Sequence, residues 1–434
     1  MRSWHLLTLF AAFSVATTGC EKSQKAAEAA PKPAVNFNPV PLEQSVATPV
    51  PDPAPAPDTP PKYSERTKQF LEAAEKGRIS LMLEFLKQGA DVNDKDDEGQ
   101  TALHKAVAAG HRSAVVALLT YGADMGEKDA KGRTPLMVAA ENGHAQLVSI
   151  LTNPDTVKNL AGEALKAVDG ESLKAVGLPN FANRMLELVG SSIDLPDQTG
   201  QTALMKAAAN GHLEVVKALV NRADPNRRDR HGKTALMLAA AGGHAQMVEY
   251  LASLAQLTTE KILTADKDNK TALDLATAAG HKNVVLALRQ ALLVKASGEG
   301  QLALVRSVLD SKEFPEPNAA EGMKAAARNG AILVVRYFMD KWKDKSVEER
   351  QRLMGMPVNG YDGTALAYAS MAGNKQMVDA LLDVAWWKEK SALLDYLMAR
   401  IYGVASVESV YGQSAEMATY LKARREALQA ELKK

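Results

Sequence analysis

The stretch from Thr101 to His111, TALHKAVAAGH, constrains this chain more than any other feature, because it returns in altered form along most of the sequence. Copies begin at Thr134 (TPLMVAAENGH), Thr202 (TALMKAAANGH), Thr234 (TALMLAAAGGH) and Thr271 (TALDLATAAGH). The glycines keep the count: Gly77, Gly110 and Gly143 are 33 apart, Gly211 follows after 68, Gly243 after 32 and Gly280 after 37. Self-similarity at such a period requires a stack of like units, each burying its apolar face against the next.

Each copy reads as a capped short helix, a stop and a second helix. Thr101 supplies a capping hydroxyl, and Pro135 after Thr134 suits the first helical position, where no amide bond is lost. Ala106, Ala139 and Ala140 let neighbouring helices lie close. Gly110 and Gly143 can adopt the left-handed backbone that ends the first helix. Val115, Val116, Leu118 and Leu119 then fall on one helical stripe, as do Val215, Val216, Leu219 and Val220. Gly89 and Gly122 read as stops of the second helix, with Asn221 or Arg222 in their place later, before an Asp/Asn-rich turn segment.

The TPLH-x-A-A-x-x-GH pattern, the valine-leucine second helix and GADVN at Gly89 to Asn93 resemble the ankyrin-repeat family. The resemblance covers about Arg66 to Ala291 with five good copies and extends more weakly to about Tyr420. It implies an all-α fold, a solenoid of stacked helix-turn-helix units with projecting β-turn fingers; spacing alone gives only a helical solenoid. Residues 65–290 are expected to hold the regular repeats, opened by a capping unit that lacks the TALH start. A degenerate repeat is expected near 152–195, where Gly177 stands 34 residues from Gly143 and from Gly211. The stretch Thr156 to Lys174 can add a helix or loop there. Residues 291–434 are expected to form irregular ankyrin-like helical repeats and a C-terminal cap, with Trp342, Trp386 and Trp387 filling gaps between them.

Residues 1–19 read as a signal peptide: Arg2, an apolar run from Leu6 to Val15, then small residues. Cys20, the only cysteine, follows Gly19 and resembles a bacterial lipoprotein acylation site, although Thr17 stands where an aliphatic residue is usual. Glu21 in place of aspartate favours the outer membrane by the same analogy. Cleavage after Ala16, leaving a free thiol, is the alternative. Residues 20–64 read as a lipidated N-terminus and a disordered Pro-rich linker, since Glu21 to Tyr63 holds eleven of the nineteen prolines. Polyproline-like chain of that length reaches at most ~130 Å.

Charge and motif exclude several chemistries. Lysine and arginine total 52 against 51 acids, a balance unlike a nucleic-acid-binding body. His111, His144, His212, His244 and His281 recur one repeat apart, too far to converge on one metal ion. Gly232-Lys233-Thr234 imitates a phosphate loop, but Arg227 stands where the loop needs its first glycine. No catalytic motif is present and no cofactor or small-molecule substrate is expected. What remains is surface. The resemblance implies that partners touch residues flanking the finger turn and those before the GH glycine. These are Asp97, Glu98 and Gln100; Lys131, Arg133, Glu141 and Asn142; Gln198, Thr199, Gln201 and Asn210; Arg227, Arg228, Arg230, His231 and Lys233; and Lys267, Asp268 and Lys270. An acidic finger near Asp97 and a basic one near Arg230 are expected about four repeats, or about 40 Å, apart.

The expected function is a protein-binding ankyrin module, monomeric and tethered by its lipid in the bacterial periplasm, that regulates or sequesters an envelope or cell-wall enzyme. A structural tether between membrane and wall is the alternative, and an enzyme is the third.

Overall fold

Each regular unit begins where a threonine leaves extended backbone and caps a helix. The hydroxyls of Thr101, Thr134, Thr202, Thr234 and Thr271 each accept the amide three residues on, at 3.3 to 3.4 Å. A computed structural model describes residues 65–153, 193–311, 319–346, 349, 365–382 and 415–432. All lie in one compact unit, Thr59–Lys434.

Helices α1 (Glu65–Glu75) and α2 (Ile79–Lys87) form the opening pair. Then come α3 (Ala102–Ala108) with α4 (Arg112–Thr120), α5 (Pro135–Glu141) with α6 (Ala145–Thr152), α7 (Ala203–Ala209) with α8 (Leu213–Leu219), and α9 (Ala235–Ala241) with α10 (Ala245–Ser253). One turn, α11 (Thr259–Ile262), precedes α12 (Ala272–Ala278) and α13 (Lys282–Gly298). The later helices are α14 (Leu302–Leu309), α15 (Ala319–Arg328), α16 (Ile332–Trp342), α17 (Ala365–Met371), α18 (Lys375–Leu381) and α19 (Ala415–Leu432).

First helices pack on first helices: α1, α3, α5, α7, α9 and α12 make one row, and α2, α4, α6 and α8 lie behind it. Ala106, Ala139, Ala207, Ala239 and Ala276 are completely buried in the first row, where any larger side chain would push the helices apart. The expected stripes are buried too, Val115, Val116, Leu118 and Leu119 in α4 and Val215, Val216 and Leu219 in α8.

The degenerate repeat expected near 152–195 falls almost wholly outside the described residues. Helix α5 packs directly on α7 and α6 on α8. The carbonyl of Glu141 accepts from Asn210 Nδ2 at 3.1 Å and from His212 Nε2 at 3.0 Å, which leaves no room for a unit between them. The rungs of α5–α6 and α7–α8 are therefore adjacent although 68 residues separate Gly143 from Gly211; Gly177 and Thr156 to Lys174 lie outside the described residues.

Helix α13 marks a second change. Its 17 residues continue through the place where earlier units turn towards a finger, and it packs on α10 as well as on α15. Among the described residues the finger row therefore ends at 266–270, and α13 to α18 carry on the stack as helices alone. Trp342 is fully buried beside Phe338, their ring centroids 5.0 Å apart, so this ring is core. Trp386 and Trp387 lie outside the described residues. Met417 and Leu421 of α19 are buried, as a terminal cap requires.

Candidate partner-binding ridge

A projecting loop can present side chains only if its own backbone is held, and one aspartate per finger does this. Asp96, Asp129, Asp197, Asp229 and Asp266 each turn Oδ1 back to accept two backbone amides, two and four residues on, at 2.8 to 3.0 Å. The aspartate amide donates to the carbonyl four residues on, closing the loop, as in Asp129 to Arg133 at 3.0 Å. Charge-assisted bonds of this kind fix the loop more firmly than neutral ones would. Burial raises the Asp197 carboxyl, but bonds from Thr199 and Lys206 outweigh it and hold the group below its ordinary value.

Neighbouring fingers are joined by backbone. Ala130 donates to Glu98 O at 2.8 Å, Gln198 to Lys131 O at 3.2 Å, Arg230 to Thr199 O at 3.0 Å and Lys267 to His231 O at 2.9 Å. Fingers one to five thus form one continuous ridge. Its close approach explains the glycine at each tip: a Cβ on Gly200, whose φ is +83°, would lie 2.7 Å from Arg230 N. Finger five has Asn269 in the left-handed position (φ 58°), a substitution tolerated where no further finger lies above.

The recurring histidines tie helix pairs rather than metal. His144, His212, His244 and His281 donate Nε2–H to Ala108, Glu141, Ala209 and Ala241 carbonyls of the preceding rung, at 3.0 to 3.3 Å. A carbonyl can only accept, which fixes the tautomer. His104 accepts at Nδ1 from the Thr101 amide at 3.2 Å and donates Nε2–H to Arg133 O at 3.0 Å. Burial pushes its imidazole below the ordinary value.

The predicted contact residues divide into two groups. Asp97, Glu98, Lys131, Asn142, Thr199, Arg230, His231, Lys267, Asp268 and Lys270 are exposed, while Gln100, Gln201 and Lys233 are half-buried beside them. The others hold their polar ends on the stack, although Gln198, Asn210, Arg227 and Arg228 are exposed as well, and the Thr199 hydroxyl likewise donates to Asp197 Oδ1 at 2.7 Å. Arg133 pairs with Asp129 at 2.8 Å and with Glu141 at 2.9 Å. Gln198 Nε2 donates to Ala130 O at 2.7 Å, and Asn210 Nδ2 holds Glu141 O. Arg227 donates to Asp194 O at 3.1 Å. Arg228 donates to Gly232 O at 2.9 Å and to Ala265 O, bracing finger four against the next. The acidic and basic fingers are three rungs apart, not four, because no unit intervenes after α6; the separation is about 30 Å. Cys20 lies outside the described residues.

None of the five turn aspartates is among the contact residues expected from the sequence. Their signal was the spacing Asp-x-x-Gly/Asn-x-Thr, which is present in every copy.

The family model described as ankyrin repeats matches in three copies, over residues 70–161, 174–261 and 228–292. The second match starts at 174, within the stretch that lies outside the described residues. No curated protein matches the chain.

Proposed function

Residues 70–161 and 174–292 carry ankyrin repeats, a protein-interaction module, and on that premise we propose that this chain is an exported, lipid-anchored binding protein that holds a partner in the bacterial envelope. The partner is an envelope or cell-wall enzyme that it regulates or sequesters. The observation that carries the reading is the ridge itself: its backbone is locked by five turn aspartates and four interfinger bonds, while its tip side chains stand in solvent. A preorganised surface loses little entropy on binding. The signal-like segment ending at Cys20 and the Pro-rich stretch after it support the anchor and the tether.

Capture from envelope extract on the full chain tests the role. A regulator retains one dominant enzyme, lost with ridge variants; retention of several structural proteins instead would favour a scaffold. Cys20→Ser tests the address: the variant should leave the membrane fraction, and an unacylated, soluble wild type cut after Ala16 would refute the anchor.

A further inference from the structure

Along the first three fingers most basic side chains are neutralised within the stack. Lys95 pairs with Glu127 at 2.6 Å, Lys105 with Asp96 at 2.9 Å, Lys206 with Asp197 at 3.0 Å, and Arg133 with two acids. Fingers four and five differ. Arg230, Lys233, Lys267 and Lys270 have no side-chain hydrogen bond or ion pair among the described residues. The cause is legible rung by rung: Lys233 and Lys270 occupy the position of Arg133, but Ala241 and Ala278 replace the acid that Glu141 supplies. Asp229 and Asp266 are buried and turned onto their own loop amides, so Asp268 is the one exposed tip carboxylate of these two fingers.

The four cations form two ranks. The Lys267 amide donates to His231 O, and a Cβ on Gly232 would sit 3.3 Å from Lys267 Cγ, so the fingers stack in register. Arg230 and Lys267 are then equivalent positions one rung apart, as are Lys233 and Lys270, a spacing of roughly 10 Å. A peptide in the extended polyproline II conformation rises about 3.1 Å per residue and turns once every three, so residues i and i+3 lie on one face and span about one rung. A helix-borne pair would need about seven residues for the same span. The C-terminal ends of α9 and α12 carry the exposed small residues Gly242, Ala278 and Ala279, which let a peptide backbone come close.

We propose that fingers four and five are the docking site for an extended acidic segment of the partner, with carboxylates at i and i+3 facing Arg230 with Lys267, or Lys233 with Lys270. This rests on the protein-binding reading above and specifies its chemistry. Ion pairs at such exposed positions are salt-sensitive and act chiefly on encounter and orientation.

The test uses the full chain and labelled ten-residue synthetic peptides, kept extended by prolines, in fluorescence anisotropy at low and high salt. One peptide carries two glutamates three apart, one carries them adjacent, and one carries glutamines. The spaced peptide should bind at least about tenfold more tightly than the glutamine peptide and at least about threefold more tightly than the adjacent isomer, with both differences shrinking in high salt. Arg230→Glu with Lys270→Glu should abolish the preference, and Lys217→Glu on α8 should leave it. Equal binding of the two isomers, or a preference that survives in the double variant, overturns the proposal. So does tighter, equally variant-sensitive binding of polyphosphate or of phosphatidylglycerol vesicles, which would assign the cations to a polyanion or a membrane. If no acidic peptide binds while Arg230→Glu still slows capture of the envelope partner, this inference falls and the proposed function stands. If peptides bind but ridge variants leave the captured partner unaffected, the segment is not the partner's, and both this inference and the ridge assignment of the proposed function fall.

Discussion

Replacing Gly143 by alanine separates two costs that the fold combines. Gly143 has a φ of +76°, and its Cβ would lie 2.7 Å from His212 Nδ1, in the ring that bonds Glu141 O at 3.0 Å. The left-handed backbone costs about 1–2 kcal/mol for an L-residue. Displacing the histidine forfeits its hydrogen bond to Glu141 O, which keeps Asn210 Nδ2, and adds about 1 kcal/mol. The sum is about 2–3 kcal/mol. Gly280 is the internal control: its φ is +74°, but nothing lies within 4 Å of its Cβ, so Gly280→Ala should show the backbone cost alone, about 1–2 kcal/mol. Urea unfolding followed by circular dichroism measures both, and hydrogen exchange at the Glu141 to His212 seam localises the loss. In a His212→Ala background, Gly143→Ala should cost no more than Gly280→Ala. Equal destabilisation by the two alanines in the wild-type background would refute the histidine latch.

The fingers and the buried histidine yield further tests. Gly200→Ala should destabilise by about 2–3 kcal/mol, because backbone strain adds to a Cβ only 2.7 Å from Arg230 N. Asn269→Ala, at the last finger, should cost about 1 kcal/mol or less, and thermal melts that rank the two in the opposite order would contradict the interfinger contact. His104 has its folded pKa below the unfolded value of about 6.5, so the unfolded chain binds the extra proton first. Stability should therefore be full above about pH 6.5 and fall as pH drops towards the folded value, and His104→Met, the residue type at the same place in three other rungs, should flatten that slope; an unchanged slope would sink the argument. Asp197 works in the acid range: its carboxyl is held below its ordinary value, so its contribution is present above about pH 4 and lost as pH falls further, and Asp197→Asn should remove that part of the acid transition.

What could be read in advance was what is local. Thr101 and its equivalents cap, Pro135 starts, Gly110 and Gly143 stop, and the Val115 to Leu119 stripe packs, because each role depends on residues within one or two turns. Roles set by how a finger folds back on itself or by a neighbouring rung were hidden. Asp129 looks like a solvated charge until finger geometry brings two amides onto it, and Arg228 looks free although its carbonyl partner at Ala265 is 37 residues on. The interval from Gly143 to Gly211 is twice the period, so counting alone suggested an intermediate repeat; only the bonds from Asn210 and His212 to Glu141 show that the chain returns to the next rung. The contact surface was legible as a set of positions, while the division between structural and available side chains depended on pairs such as Arg133 with Glu141, formed across a helix and a finger.

The central claim, that the exposed finger ridge takes the partner, is tested most directly by association rates. With the captured partner on a surface plasmon resonance chip, wild type is compared with Arg230→Glu/Lys267→Glu on the ridge and with Lys217→Glu, whose side chain pairs with Glu214 on α8. The account predicts that the ridge variant associates at least about tenfold more slowly at low salt and much less differently at high salt, with the α8 variant unchanged. Equal association rates for all three proteins at low salt would contradict it and move the binding surface off the fingers.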